Sequence, residues 1–357
     1  MALPERVGTG TESGWTYRRS GFDRDSVGSA LSALLGQVRY HPPASSGRPI
    51  RAPGHYAGLV RIGRETLAIT TDTVGTKVLL AEQLGRWEEV GEDIVAINVN
   101  DLASVGARPA ALVDVISCAR PDSEVFRAIG RGIQRGIRQS RCALVGGETA
   151  MVPELVPHID LGGTAVGFFP PRRQPVTGSR IQVGDQLVGI PSSGLHSNGF
   201  TLVRRMLAAN SVALDLPRPG GTEPLGMELL TPTRIYVRAV ESVAAVSGVH
   251  GFAHISGGGV RNLSRLQPKR CFVLDAWPAA PPLFRWLCEM GGVPVEERYQ
   301  TFNMGIGFVL VVARAQTERV LRTLGRAGAP DANVVGRVVA GTGVRIPDLD
   351  LSYSGYR

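Results

Sequence analysis

The chain has 357 residues, enough for two domains with a core each, and 43% of them are hydrophobic, as in an ordinary folded protein. No apolar run is long enough to cross a bilayer as a helix. The net charge of +8 raises the question of a nucleic-acid partner. The arginines are scattered, however, without a basic block or aromatic-basic interleaving, so a phosphorylated small-molecule substrate or plain GC-rich composition fits equally well. Cys118, Cys142, Cys271 and Cys288 lie far apart, with neither metal-site nor disulfide spacing. They read as core thiols of a protein in a reducing, cytoplasmic compartment.

In chain order, residues 1–16 are polar and rich in Gly and Thr, and read as a disordered leader. His41 to Gly58, dense in Pro, Gly, Ser and Arg, reads as a loop. Strands near Ala57–Ile62 and Thr66–Thr71 flank Gly63-Arg64, a hairpin signal. Asp93–Val105 reads as a helix closed by Gly106, and Leu112–Ser117 as a strand. Ser123–Gln139 places Phe126, Ile129, Ile133 and Ile137 on one helical face. Ala143–Val145 and Leu161–Phe169 read as strands, and the Pro170–Pro175 stretch as a domain boundary. Beyond it, Leu187–Ile190 is a strand and Asn198–Ala209 a helix. Thr231-Pro232 looks like an N-cap and first helical position opening a helix through Val246. Alternation continues through Phe272–Leu274, Leu283–Met290, Gly307–Val312 and Thr317–Arg326, which makes both halves mixed α/β.

Three segments put a carboxylate beside glycines or small hydroxyl residues: Asp72 before Gly75-Thr76-Lys77, Asp101 after Asn100, and Glu148 after Gly146-Gly147. Together they suit Mg²⁺ held by Asp72, Asp101 and Glu148, with Lys77 and backbone N–H groups on phosphate oxygens, the equipment for ATP. There is no G-x-x-x-x-G-K-[ST] loop, so the nucleotide is bound by another device. Asp101 sits within an otherwise apolar helix, where an unpaired carboxylate is costly. Pro191–Gly199 is a donor-rich loop before a helix, suited to an anion such as a ribose phosphate, and His196 within it titrates in the range of a general acid or base. His254–Gly259 repeats the theme with three successive glycines. Thr301–Gly307 either joins these loops or shapes the start of a strand.

These segments resemble the aminoimidazole ribonucleotide synthetase (phosphoribosylformylglycinamidine cyclo-ligase) family. The likeness runs through Asp72–Lys77, Asn100–Pro109, Gly146–Ala150, Pro191–Gly199, Leu230–Val237, Ala253–Gly259 and Thr301–Gly307, from about Tyr17 to Val339. It implies a two-domain α/β (α+β-like) fold. Residues 17–170 would form an ATP-binding, dimerising domain that builds a β-barrel with its copy, and residues 176–350 an α/β domain binding the substrate phosphate. The implied reaction is ATP-dependent cyclisation of formylglycinamidine ribonucleotide. The resemblance assigns catalysis to Lys77, Asp101 and His196, and ATP contacts to Arg18, Gly75, Thr76, Lys77, Asn100, Gly146 and Gly147. It assigns substrate contacts to Ser192, Ser193, Gly194, His196, Asn198, Thr233, Gly257, Gly258 and Gly259. The implied partners are ATP, Mg²⁺, a phosphorylated substrate and a second copy of the chain, with neither nucleic acid nor membrane.

The chain departs from that family's pattern at Ala52–Gly58, at Arg18 after Tyr17, at Met151-Val152-Pro153 and at Val115-Ile116 after Asp114. All four lie in the N-terminal half. They leave a divergent paralogue acting on a related ribonucleotide as the alternative, with a non-catalytic nucleotide-binding subunit behind it. No cysteine precedes Cys118, as a selenophosphate synthetase would need, and the chain ends in Tyr356-Arg357 rather than the cysteine of hydrogenase-maturation homologues.

Overall fold

The computed structural model describes residues 14–38, 40, 47–50 and 54–356. Most of the expected leader, residues 1–13, lies outside them, as do residues 41–46 and 51–53 of the expected loop. Gly14–Thr16 are held in place, since the Trp15 N–H donates to the Gly291 carbonyl at 3.1 Å. Helix α1 (Arg24–Gln37) follows, capped by the Asp23 carboxylate on the Asp25 N–H. The expected loop contains a short strand, β1 (Arg48–Ile50).

The first sheet has the order β1-β2-β3-β6-β4-β5, with β2 (Gly58–Ile62), β3 (Glu65–Thr73), β4 (Arg108–Cys118), β5 (Ala143–Met151) and β6 (Ile159–Phe168). Hairpin β2–β3 forms as expected, with Gly63 at φ +60° in its turn. Only β4 and β5 run parallel, joined through α4 (Ser123–Ser140), which Asp122 caps at Glu124 and Val125. Helix α3 (Glu88–Ala103) covers one face of the sheet with α4 outside it; Glu88 pairs with Arg131 and Arg135, and Glu92 with Arg135. Alternation along the strands puts Leu59, Ala68, Leu112, Ile116, Leu161 and Ala165 under these helices. The opposite face carries Ile62, Ile69, Val113, Val115 and Phe168, all exposed. A single chain therefore makes an open sheet with two free edges, and the expected barrel is not closed within it.

The second sheet has the order β13-β12-β9-β11-β7-β10-β8. Its strands are β7 (Gln186–Pro191), β8 (Val249–His254), β9 (Arg270–Val273), β10 (Ile306–Val312), β11 (Asn333–Ala340), β12 (Gly343–Ile346) and β13 (Leu351–Tyr353). Every residue of β10 is buried. Phe308, Leu310 and Val312 face the large core shared with α3, while Val309 and Val311 face a smaller one with Phe272 and Val338. The large core thus runs through both halves without a break.

Helices α5 (Phe200–Ala209), α8 (Pro282–Met290) and α10 (Thr317–Arg326) match expectation within two residues. The helix expected from Thr231 does not form there. Helix α6 (Leu225–Leu230) ends just before it, and α7 begins only at Val237 and runs to Val243. The intervening segment is held extended by α3: Asp93 accepts from the Thr233 N–H, Asn100 Oδ1 accepts from the Tyr236 N–H, and Asn100 Nδ2 donates to the Arg234 carbonyl. Side chains of α3 thus take the backbone groups that a helix would have used.

Candidate active site

Asp72 sits near the end of β3, where its carboxylate accepts the Thr73 N–H at 2.8 Å. Burial pushes it up to about 6 although its side chain still touches solvent; the Asp101 carboxylate adds to the rise, opposed by the Thr73 N–H and by His254. Asp101, near the end of α3, lies 3.0 Å from His254 Nδ1. The His254 ring is 2% exposed, and its Nε2 has no hydrogen-bond partner among the described residues. His254 ends β8 and leads into the glycine loop, and its carbonyl accepts from the Tyr56 hydroxyl. His254 was readable in the sequence only as the first residue of that loop; its pairing with Asp101, 153 positions away, was not.

Glu148 does not join this pair. The row Asp72, Gly163, Asp114, Gly147 crosses the sheet on the helix-covered face. Gly147 lies close under Asp114 there: a Cβ would meet the Asp114 backbone carbonyl at 2.9 Å as well as its side chain. Glu148, one residue on, therefore points to the open face, and three strand spacings, roughly 14 Å, separate its strand from that of Asp72. Gly146, Gly147 and Glu148 lie within exposed edge strand β5, which runs through the motif instead of ending at Val145. Among the described residues no group of three or more His, Cys, Asp or Glu is arranged to hold a metal ion. The expected three-carboxylate metal site is thus absent within one chain, and what remains is the Asp72–Asp101 pair.

Lys77 opens α2 (Lys77–Leu84) but does not reach into a cleft. It is fully buried, with Nζ 2.7 Å from Asp93 Oδ2, 2.9 Å from the Thr231 carbonyl and above the Phe200 ring. The Thr233 hydroxyl donates to Asp93 at 2.6 Å. Lys77 and Thr233, expected on phosphate and substrate, are instead joined through Asp93, a residue that sequence reasoning missed. Asn100 is likewise committed to residues 234–236, one amide hydrogen going to the Arg234 carbonyl and its oxygen accepting from the Tyr236 N–H, and its side chain is buried away from solvent. Gly75 is exposed at φ +67°, and the Thr76 hydroxyl lies 3.0 Å from that of Thr201. Arg18 is exposed on a turn beside Tyr17, whose N–H donates to Glu297 of α9 (Val295–Thr301) in the C-terminal half.

The C-terminal loops converge. Ser192 donates to Asn303 Oδ1, Asn303 Nδ2 donates to the Gly194 carbonyl, and Ser193 donates to the Pro232 carbonyl. Asn303 therefore ties the Thr301–Gly307 segment to the Ser-Gly loop, which answers its ambiguous reading. A Cβ on Gly257 would lie 2.9 Å from Asn198 Oδ1, so the two loops touch. Gly259, at φ +54°, passes so close to the Tyr299 carbonyl that a Cβ would meet it at 2.0 Å. Gly258 lies under the Tyr356 ring. His196 is buried at φ +62°, its ring 6.2 Å from that of His254, and neither ring nitrogen has a partner among the described residues. Burial, with His254, Lys77 and Arg234 adding to it, holds His196 well below the ordinary imidazole value. These surroundings favour its neutral form.

Family models for the AIR synthase related protein match both halves, the N-terminal domain over residues 54–169 and the C-terminal domain over residues 182–348. This chain belongs to the AIR synthase, or phosphoribosylformylglycinamidine cyclo-ligase, family. It is 42% identical to the phosphoribosylformylglycinamidine cyclo-ligase of Thermococcus kodakarensis over 339 residues, 94% of this chain and 99% of that protein. It is 41% identical to the enzyme of that name from Methanothermobacter thermautotrophicus over 328 residues, 90% and 95% of the two chains. In fold it is similar to AaThiL complexed with AMPPCP and TMP, with a TM-score of 0.63, 17% identity and 93% and 96% of the two chains covered.

Proposed function

We propose that the protein converts formylglycinamidine ribonucleotide and ATP into aminoimidazole ribonucleotide, ADP and phosphate. The Asp101–His254 contact carries this reading, because it sets the carboxylates of one half against the glycine loops of the other. Relatives bearing that activity's name match over nine-tenths or more of the chain, which favours it over a paralogous substrate or a non-catalytic subunit.

The γ-phosphoryl group passes to the formamide oxygen, with ADP leaving. The amidine nitrogen then attacks the activated carbon, phosphate departs and the ring closes with loss of a proton. The protein's work is positioning and charge neutralisation. Two nearby carboxylates, one of them raised by burial and further by the other, fit a divalent cation that takes its remaining ligands from phosphate and water. Asp72 and Asp101 would hold Mg²⁺, which would neutralise phosphate charge during transfer. Ser192, Ser193, Gly194, Asn198 and Gly257–Gly259 would receive the ribose phosphate, and residues 17–170 and 176–350 would act as the ATP-binding and substrate-binding domains. His254 Nε2, lacking a partner, is the better-placed proton acceptor.

The protein acts as a cytoplasmic homodimer in this reading. Support comes from the exposed apolar face of the first sheet and from the stripe of Val27, Leu31, Leu34 and Leu35 on α1. No described helix is long and apolar enough to cross a membrane. Purified protein with Mg-ATP and formylglycinamidine ribonucleotide tests the reading. Equal formation of ADP and aminoimidazole product is expected; ATP hydrolysis without product, or no turnover, overturns it.

A further inference from the structure

The candidate active site holds a carboxylate pair and does not account for the net charge of +8. One place where positive charge gathers is a cavity of about 350 Å³ at the junction of the two halves, bounded by the end of α4, residues 234–239 and the loop after α10. Its lining includes Arg138, Arg141, Arg234 and Arg238, together with Ile190 and Tyr236, and no carboxylate. Arg234 is already engaged: it pairs with Asp331 at 2.8 Å and donates to the Pro191 and Gly328 carbonyls. Arg138, Arg141 and Arg238 are exposed, and none has a hydrogen-bond or ion-pair partner among the described residues.

Guanidinium groups keep their charge whatever the surroundings, so the three unpaired ones around this concavity repel one another, and an anion entering it relieves that repulsion. Their planar donor forks suit phosphate oxygens, and the apolar part of the lining suits a ring or sugar. The concavity has the size of a small-molecule site, whereas a nucleic-acid backbone calls for an extended basic stripe. No lining residue belongs to the carboxylate pair or the glycine loops. Residues 234–236 nevertheless connect the two places, because Asn100 bonds the Arg234 carbonyl and the Tyr236 ring lies 6.1 Å from that of His196.

We propose that this cavity is a second anion site, separate from the ring-closing site, that takes a phosphorylated small molecule. Its walls come from both halves, so a bound phosphate would bridge them. The assignment stands whether or not the chain is a cyclo-ligase.

The test compares the full-length protein with the double variant Arg138→Gln/Arg141→Asn by titration calorimetry with AMP and with pyrophosphate. Both side chains are exposed and unpartnered, and asparagine tolerates the φ of +56° at position 141. Unchanged melting temperature and ATP turnover would show that fold and active site are intact. Any binding at the active site is common to both proteins, so the difference reports the cavity. The expected result is a binding component weakened at least about tenfold for each guanidinium removed, and more weakly bound as salt rises. Retention of AMP over pyrophosphate identifies a nucleoside phosphate, and the reverse a free phosphate chain; either supports the site. Arg238→Gln should weaken the same component. Identical isotherms in all the proteins overturn the proposal. So does a single-stranded DNA oligomer that outcompetes both probes and loses its binding in the double variant.

Discussion

Asp101 Oδ1 and His254 Nδ1 meet at 3.0 Å, and with them the last turn of α3 meets the end of β8. The contact fixes one imidazole nitrogen and leaves the other, Nε2, without a partner. Replacing Asp101 by Asn keeps shape and removes charge. ATP turnover should fall at least about a hundredfold while the melting temperature changes little. Steady-state ADP release measures this, and unchanged turnover would take Asp101 out of the metal site.

The Lys77–Asp93 pair makes a contrary prediction for a lysine that sequence reasoning placed on phosphate. Both side chains are fully buried, so truncating one strands the other charge in the core. Lys77→Met should destabilise the fold by about 3–5 kcal/mol, and Lys77→Met/Asp93→Leu should recover part of that loss. Urea unfolding of both variants decides the matter. A large loss of turnover at unchanged stability would return Lys77 to the chemistry.

His196 predicts the direction of a pH effect. Its folded imidazole is held well below the unfolded value of about 6.5, so the unfolded chain binds the extra proton first. Stability from this group is present above that value and is lost as pH falls through it. His196→Asn, compatible with φ +62°, should flatten the fall in urea midpoint below about pH 6.5. An unaltered slope would mean that the ring protonates freely in the folded state.

What was legible in the sequence was whatever local pattern controls. Hairpin β2–β3 announced itself through Gly63-Arg64, and α4 through its apolar face, while its Asp122 cap emerged only in the structure. The segment after Thr231 carried a sound local helix signal, yet Asp93 and Asn100, more than 130 positions earlier, take its backbone groups. The candidate site divides in the same way. The glycine loop was visible as a run of three glycines, one of which, Gly259, proves to be needed for packing against the Tyr299 carbonyl; Asp72 was visible from the Gly-Thr-Lys that follows it, and Asp101 because a carboxylate in an apolar helix needs a partner. Which partner each found depended on tertiary packing. His254 went to Asp101, Lys77 to Asp93, and Glu148 was turned to the open face by a strand that continued through its motif.

That orientation of Glu148 yields the last prediction. Exposed on an edge strand beside an uncovered apolar face, it is poorly placed for its own chain's Asp72 and well placed to meet a second copy. If the homodimer forms through this face and brings Glu148 of the partner subunit round the sheet edge to the Asp72–Asp101 pair, that carboxylate would replace one of the water ligands expected there. Asp101→Asn and Glu148→Gln chains would each be inactive alone. Mixed by co-expression, half of the dimers would be heterodimers. Each heterodimer would hold one site with both carboxylates intact, so activity should return to about a quarter of wild type. A cis arrangement leaves every site in the mixture damaged and gives no recovery. Turnover of the mixture against each variant alone separates the two arrangements, and light scattering on the same samples shows whether the dimer has formed.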